Sequence, residues 1–404
     1  MENHYQEYLK AVEKFQSFRD SVIPLCAAEN IMSDFTKSPQ ILNFQERYIL
    51  GGHLDYVEED NMIGSKALLP FYNLAEELCY DIFGANYTDS RSLSGMNALQ
   101  NLILCFMEKD NTILNLSPES GGHASIPNIL TKLGIKYLDI PFDYDNYSID
   151  YAKTNNLLQK NKIDFILLAP SDILFLPELE KLEVDENTII IFDATQVLGF
   201  FVNSPNRSFF TTDNLIVMAG THKTLPGPAK AIIMTNTEKL AHKIDATINP
   251  LYIRNTHLQN VASLILSLIE ANKFGQKYAN EMVKNSNYLG GKLSEYGFDI
   301  LGKKDFFSET HQLFIHMNEK NASDFFRKSC RNKVSLNKKS KLLFKDSGIR
   351  IGVQEITRYG WNHEDLDLLA QLLYIINTKE DSTEIDLLKE YLLQKNNIKY
   401  TFRK

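Results

Sequence analysis

Lys223 is the residue of this chain best placed for covalent chemistry. Five residues of strand composition, Leu215 to Ala219, run into Gly220, and the polar stretch Thr221, His222, Lys223, Thr224 follows at once. A buried strand therefore empties into a turn that carries a lysine. In an open α/β sheet, ligands bind in the crevice beyond the carboxyl ends of the strands. A lysine half out of water there, with suitable neighbours, has a lowered pKa and can form a Schiff base. A second apolar strand, Thr188 to Phe192, delivers Asp193 in the same way. Ser94 and Gly95 precede a helical pattern, which leaves backbone N–H groups free to hold an anion or makes Ser94 an ordinary N-cap. His123 follows a glycine pair where another helix begins, and Arg350 stands in the middle of an apolar alternation. Glu29 and Asn30 sit in the apolar run Leu25 to Ser33; a buried glutamate costs several kcal/mol unless paired, so this pair is expected to be engaged.

The elements that must position these residues alternate in type. Strand-length apolar runs occur at Thr112 to Leu116, Ile135 to Ile140, Phe165 to Ala169, Thr188 to Phe192, Leu215 to Ala219 and Ala231 to Met234, with helical patterns between them. That pattern predicts a mostly parallel sheet covered on both faces. Tyr5, Tyr8, Leu9, Val12 and Phe15 predict an amphipathic opening helix, and Pro70 to Phe83 a second helix. Tyr48 to Lys66, with three glycines and the acidic cluster Glu58, Glu59 and Asp60, reads as a loop. A long helical stretch from about residue 250 leads to strand-like segments at Phe298 to Lys304 and His311 to Met317, a helix at Ala322 to Ser329, and a last helix at Glu364 to Ile376.

The chain has 404 residues, enough for two cores, and carries 43 Lys plus Arg against 51 Asp plus Glu, a net charge of −8. No basic stripe with interleaved aromatics points to nucleic acid, and no apolar run approaches a membrane span. Four widely spaced cysteines without a CxxC pair suit reduced thiols, and with the polar N-terminus they lead us to expect a soluble cytoplasmic protein without a zinc site. His53, His257 and His311 lack metal-ligand spacing and read as polar loop residues, with His53 in reach of a substrate as the other possibility. The basic end KNNIKYTFRK reads as a solvated tail.

The ordered set resembles the serine hydroxymethyltransferase family of fold-type I pyridoxal-phosphate enzymes. LCAAEN looks like that family's LIASEN, SGMNA like its SGSQA, SGGH like its HGGH, and DATQVLG like its DMAHVAG. THKTLPGPAK looks like its THKTLRGPRG and SGIRIGVQEITRYG like its SGIRLGTPALTSRG, so the similarity runs from about residue 20 to about 375. The resemblance implies a mostly parallel seven-stranded sheet with helices on both faces and a smaller α/β C-terminal domain. It divides the chain into an N-terminal helical segment and arm at 1–44, a large pyridoxal-phosphate-binding domain at 45–270 and a small domain at 271–404. It further implies that Lys223 holds pyridoxal 5'-phosphate, that Asp193 pairs with the ring nitrogen and that His123 and Thr195 take the two ring faces. Ser171 would lie near the ring hydroxyl, and Ser94, Gly95 and Met96 would hold the phosphate. Gln196, Thr221 and His222 would line the cofactor, Arg350 would take the substrate carboxylate, and Glu29 would join the catalytic group. Tyr48 matches a tyrosine that reaches the neighbouring subunit's site, which implies a homodimer with its active site at the subunit interface.

Several positions depart from the family pattern. The glutamate two residues after that tyrosine is Leu50, the serine of SEN is Ala28, the histidine after DMA is Gln196, and the arginine of GPRG is Ala229 with Lys230 beside it. Met96 replaces a phosphate-binding serine, and the loop from residue 49 to 69 is longer, with Glu58, Glu59 or Asp60 as candidates to refill the acid role. The cofactor frame is kept while the substrate and folate side is changed. The expected activity is cleavage or formation of the Cα–Cβ bond of an amino acid by a hydroxymethyltransferase, aldolase or transaldolase that does not depend on folate. Transamination is the alternative on the same cofactor. A non-catalytic cofactor-binding or interaction protein is a third reading, weighed against by the presence of Lys223, Asp193, His123 and Arg350 together.

Overall fold

The computed structural model describes residues 2–304, 306–379 and 382–402. Its centre is a seven-stranded sheet made of β1 (Tyr87–Asp89), β2 (Thr112–Asn115), β3 (Lys136–Asp139), β4 (Phe165–Leu168), β5 (Ile189–Asp193), β6 (Leu215–Gly220) and β7 (Ala231–Thr235). The order is β1-β7-β6-β5-β4-β2-β3. Strand β7 runs antiparallel to both neighbours and every other pair is parallel. Strands β4, β6 and β7 are buried along their whole length because their side chains alternate between two covered faces. Ile190, Phe192, Val217 and Ala219 face the side carrying helix α2 (Leu69–Phe83) and the long helix α4 (Leu258–Glu295). Ile191, Ile216 and Met218 face α3 (Gly95–Phe106). All six apolar runs read from the sequence are strands of this sheet. Strand β1 was not anticipated: three residues ending in an acid show no period, and only pairing with β7 defines them.

Because six of the seven strands point one way, the chain leaves β1, β2, β4, β5 and β6 at a single edge of the sheet, and the candidate residues gather there. A smaller antiparallel sheet, β8 (Asp299–Leu301), β9 (Gln312–His316), β10 (Asn337–Lys339) and β11 (Gly348–Gly352), has the order β8-β9-β11-β10 and carries Arg350 on its buried strand β11. The expected division at residue 270 falls inside α4, and Ile23–Pro24 pairs with Val334–Ser335, so the N-terminal arm is joined to the small sheet by backbone hydrogen bonds.

Three expectations need correction. The helix at His363–Thr378 is not the last, since Thr383–Leu393 follows it. The C-terminal tail packs back as far as residue 402: Trp361 donates to Lys395 O, Arg358 donates to Tyr400 O, and Phe402 lies against Phe35 and Phe274. Only Arg403 and Lys404 of that tail lie outside the described residues. The opening helix α1 (Glu2–Asp20) forms as predicted, but its apolar residues find no cover in the chain, with Tyr5 59% and Phe15 65% exposed. No helix among the described residues is long and apolar enough to cross a membrane.

Candidate active site

Lys223 sits in a turn closed by its own neighbours. Thr221 N donates to Lys230 O, Thr221 Oγ1 to Pro228 O at 2.8 Å, and Gly227 N back to Thr221 O. From the N-terminal arm, Asn30 Nδ2 donates to Lys223 O at 2.5 Å and to Tyr278 OH at 3.0 Å. The backbone of Lys223 is therefore held from both sides, which leaves its side chain the freedom to react. Burial pushes the Lys223 amine below the ordinary lysine value; Asp193 works against that shift and Arg350 adds to it.

Asp193 is buried at the end of β5, and burial raises its pKa against the opposing effect of the Thr195 hydrogen bonds and the Lys223 charge. Thr195 N donates to Asp193 Oδ1 at 2.9 Å, while Thr195 Oγ1 accepts from Gly220 N at 2.7 Å. One threonine thus ties the ends of β5 and β6 together. Helix α3 begins against the same point: a Cβ on Gly95 would lie 3.3 Å from both Gly220 Cα and Thr195 Oγ1. Ser94 caps that helix by accepting from Asn97 N at 3.2 Å, so the N-cap reading holds, and the first N–H groups of a twelve-residue helix open beside Lys223's strand.

His123 N donates to Ala169 O at 2.8 Å, and Nδ1 accepts from Ser125 N at 3.2 Å, which puts the proton of the neutral ring on Nε2. Burial and the charges of Lys223, Lys339 and Lys341 hold its pKa down, against Asp193, so the ring is neutral at neutral pH. His222 is pushed down to about 4 by burial and then by Lys223, and its Nδ1 is buried without a partner. Ser171 follows β4; its backbone N donates to Gly121 O and its carbonyl accepts from Arg350 Nη1 at 2.8 Å. Gln196 is buried and accepts from Gln312 Nε2 of β9, so it joins the two sheets.

Arg350 is held by three partners. Nη1 donates to Ser171 O and to Asp172 Oδ1, each at 2.8 Å, and Nη2 donates to Asn337 Oδ1 at 2.7 Å. Nε is buried and has no hydrogen-bond partner among the described residues. Asp172 was missed by sequence reasoning. Its side chain is fully buried and pairs with Arg350, Lys339 at 2.9 Å and Lys341 at 2.8 Å. Burial alone would raise its pKa, but Arg350, Lys339 and Lys341 outweigh that and hold it at about 2.

Two expected site residues are not brought to Lys223 by this single chain. Glu29 is exposed rather than buried; what is held there is its backbone carbonyl, by Gln354 Nε2, while its charge helps burial lift Glu355 to about 7. Tyr48 is half-buried and has no side-chain hydrogen bond among the described residues. Leu50 N is fixed by Asn61 Oδ1 at 3.0 Å, Glu58 pairs with Lys66 on an exposed turn, Glu59 is exposed, and the side chain of Asp60 lies outside those described.

The three histidines read as loop residues do lie outside helices and strands; His257 is exposed, but the other two are buried. His311 is buried, with Nε2 3.1 Å from Ala27 O, and burial lowers it to about 3. His53 is buried with Nε2 3.4 Å from Glu76 and Nδ1 3.2 Å from Asp245. Burial would lower it, but those two carboxylates raise it to about 9. His53, Asp89 and Asp245 lie close enough together to hold a metal, yet the Arg91 guanidinium already pairs with both aspartates. Asp245 also accepts from the backbone N–H of His53, Leu54 and Asp55, which anchors the start of the long loop.

The arrangement fits pyridoxal phosphate: a desolvated lysine, a buried carboxylate, a neutral imidazole, and a helix start packed too closely on Gly220 to admit a side chain at Gly95. The family model for serine hydroxymethyltransferase matches residues 2–373. The chain is 30% identical to the serine hydroxymethyltransferase of Picrophilus torridus, across 100% of this chain and 97% of that one. It is 29% identical to the one from Archaeoglobus fulgidus, across 95% and 90%. In fold it is similar to the crystal structure of L-threonine transaldolase from Pseudomonas fluorescens in its internal aldimine state, with a TM-score of 0.90, 22% identity and coverage of 100% and 96%.

Proposed function

The chain belongs to the serine hydroxymethyltransferase family and is a pyridoxal-phosphate-dependent transferase or lyase acting at the Cα–Cβ bond by aldol-type chemistry; from that premise we propose that it cleaves or transfers β-hydroxy-α-amino acids to an aldehyde without folate. When bound, pyridoxal phosphate supplies an electron sink for negative charge at Cα. The remaining roles in this proposal fall to the chain. Lys223, whose pKa is lowered by burial, would hold the cofactor and would move a proton at the substrate. Asp193 balances positive charge on the ring, and Thr195 fixes its carboxylate. Neutral His123 provides a flat, uncharged face, and Ser94, Gly95 and Met96 receive the phosphate at the start of α3. Arg350 takes the substrate carboxylate with a guanidinium already oriented by Ser171 O, Asp172 and Asn337.

The observation that carries the folate-independent reading is Leu50, an apolar side chain where the family has a proton-handling glutamate, in a loop whose nearby acids Glu58 and Glu59 are exposed. The test is cleavage of serine to glycine, and of threonine to glycine and acetaldehyde, with and without tetrahydrofolate, which this reading expects to be unchanged by folate in both. A strict folate requirement would count against it. The same proposal includes a homodimer, supported by the exposed Tyr5, Tyr8 and Phe15 of α1 and by the Tyr48 side chain making no hydrogen bond among the described residues. A molar mass of one subunit by light scattering would remove that part. A cytoplasmic location is also proposed, supported by four free cysteines.

A further inference from the structure

We propose that Lys339 and Lys341, set with Arg350 around the buried Asp172 at the edge of the site, form a subsite for a second acidic group on the substrate. This rests on the reading of the chain as an aldol-type enzyme and narrows its substrate class to β-hydroxy-α-amino acids with an acidic side chain, or the aldehydes that carry the same acid.

The charge count is the first support. Three cations face one carboxylate, with side-chain exposures of 20% for Lys339, 14% for Lys341, 5% for Arg350 and none for Asp172. Like charges brought together out of water repel, so such a cluster gains from further negative charge nearby. The substrate α-carboxylate assigned to Arg350 supplies one, which leaves one positive charge over. Of the acids on neighbouring segments, Glu119 is exposed and accepts from Leu342 N at 2.8 Å, and Glu319 is taken by Lys338 and Ser340. On its inner side Asp172 borders a small apolar cavity lined by Leu174, Phe175, Phe314 and Leu343, which offers no compensating charge.

Position is the second support. The cluster is tied to the loop that carries His123 by hydrogen bonds: Arg350 Nη1 donates to Ser171 O, Ser171 N donates to Gly121 O, and His123 N donates to Ala169 O. Strand alternation separates the two ammonium groups from Lys338, whose ammonium turns to the other side and pairs with Glu319. Lysine suits this role because a compact point charge binds carboxylate or phosphate without demanding a fixed plane. In the cleavage, the β-hydroxyl loses its proton, the Cα–Cβ bond breaks, Cα regains a proton and an anionic aldehyde leaves. For 3-hydroxyaspartate the products are glycine and glyoxylate, with atoms and charge in balance and no redox partner.

The test uses the cofactor-loaded protein and two readouts. Binding is followed through the cofactor absorbance on titration with L-aspartate against L-alanine, and turnover through cleavage of 3-hydroxyaspartate against threonine, with glycine plus glyoxylate against glycine plus acetaldehyde for the reverse direction. We expect the acidic member of each pair to be favoured by about tenfold or more. Lys339→Gln and Lys341→Gln should each lower that ratio several-fold, whereas Lys338→Gln should leave it as in the wild type. A preference confined to 3-hydroxyaspartate and glyoxylate places the acid on the cleaved fragment; one seen with L-aspartate as well places it on the amino acid as bound. Equal wild-type affinities for L-aspartate and L-alanine together with equal turnover of the pair would overturn the subsite while leaving the aldol reading intact, and this outcome does not depend on any variant folding. Absence of turnover with every β-hydroxy amino acid would instead strike the reading beneath it.

Discussion

Replacing Asp172 with asparagine removes the single negative charge that three cations share. The folded carboxyl is held at about 2 against an ordinary 3.8. At 1.36 kcal/mol per unit that difference corresponds to about 2 kcal/mol of stability at neutral pH. Because the folded pKa is depressed, this contribution is complete above pH 3.8 and fades as the pH falls through about 2. The variant keeps the volume and some hydrogen bonds of the carboxylate, so the loss comes from charge. We expect Asp172→Asn to lower stability by about 2 kcal/mol at pH 7, read by denaturant or thermal unfolding. Phosphate in the buffer should recover part of that loss, because the unpaired cations gain an anion. In a Lys341→Gln background the same change should cost at least ~0.5 kcal/mol less, since one of the repelling charges is gone. A variant as stable as the wild type at pH 7, or an identical cost in both backgrounds, would refute the account of this cluster.

Other consequences follow from the same geometry. Asp193→Asn should cut kcat by about 10²–10³-fold. The cofactor-free form of that variant should be no less stable than the wild type, because burial raises the Asp193 pKa and its charge is a cost until balanced; unfolding curves of the two apoproteins check this. Gly95→Ala pushes a methyl against Gly220 and Thr195 and should weaken cofactor retention by about tenfold, measured by absorbance after dialysis. His53, raised from 6.5 to about 9, stabilises the folded chain fully below pH 6.5 and loses that effect as pH rises through about 9, a contribution of roughly 3 kcal/mol. Limited proteolysis of residues 50–69 should therefore quicken above pH 9 in the wild type, and His53→Gln should show quick cleavage already at pH 7.

Much of the site was legible because its residues stand at the ends of apolar strands. Asp193 ends β5 and Lys223 lies three residues past β6, and the parallel pairing of these strands brings their ends to the same edge of the sheet. Ser94 and Gly95 were equally legible as a helix start. What the sequence hid depends on direction and on long-range partners. Glu29 lies in an apolar run, but composition does not say which way one side chain points, and it points outward. Asp172 gave the same kind of signal, an acid among apolar residues after β4, yet its three partners lie more than 160 residues away on β10, β11 and the turn between them. Lys339 and Lys341 belong to the basic run KKSK, which reads as a solvated surface until strand alternation turns two of its lysines inward. His53 and His311 are loop residues as read, but their burial was hidden because their carboxylate and carbonyl partners are distant in sequence.

The most direct test of the aldol-type account is single-enzyme turnover of β-hydroxy amino acids by the pyridoxal-phosphate-loaded protein, with Lys223→Ala as control. Serine, threonine and 3-hydroxyaspartate would each be supplied with and without tetrahydrofolate, and glycine, aldehyde and pyridoxamine phosphate followed together. The account predicts stoichiometric glycine and aldehyde from at least one β-hydroxy substrate, no dependence on folate, and no activity in the control. Accumulation of pyridoxamine phosphate with a keto acid in place of glycine would contradict it.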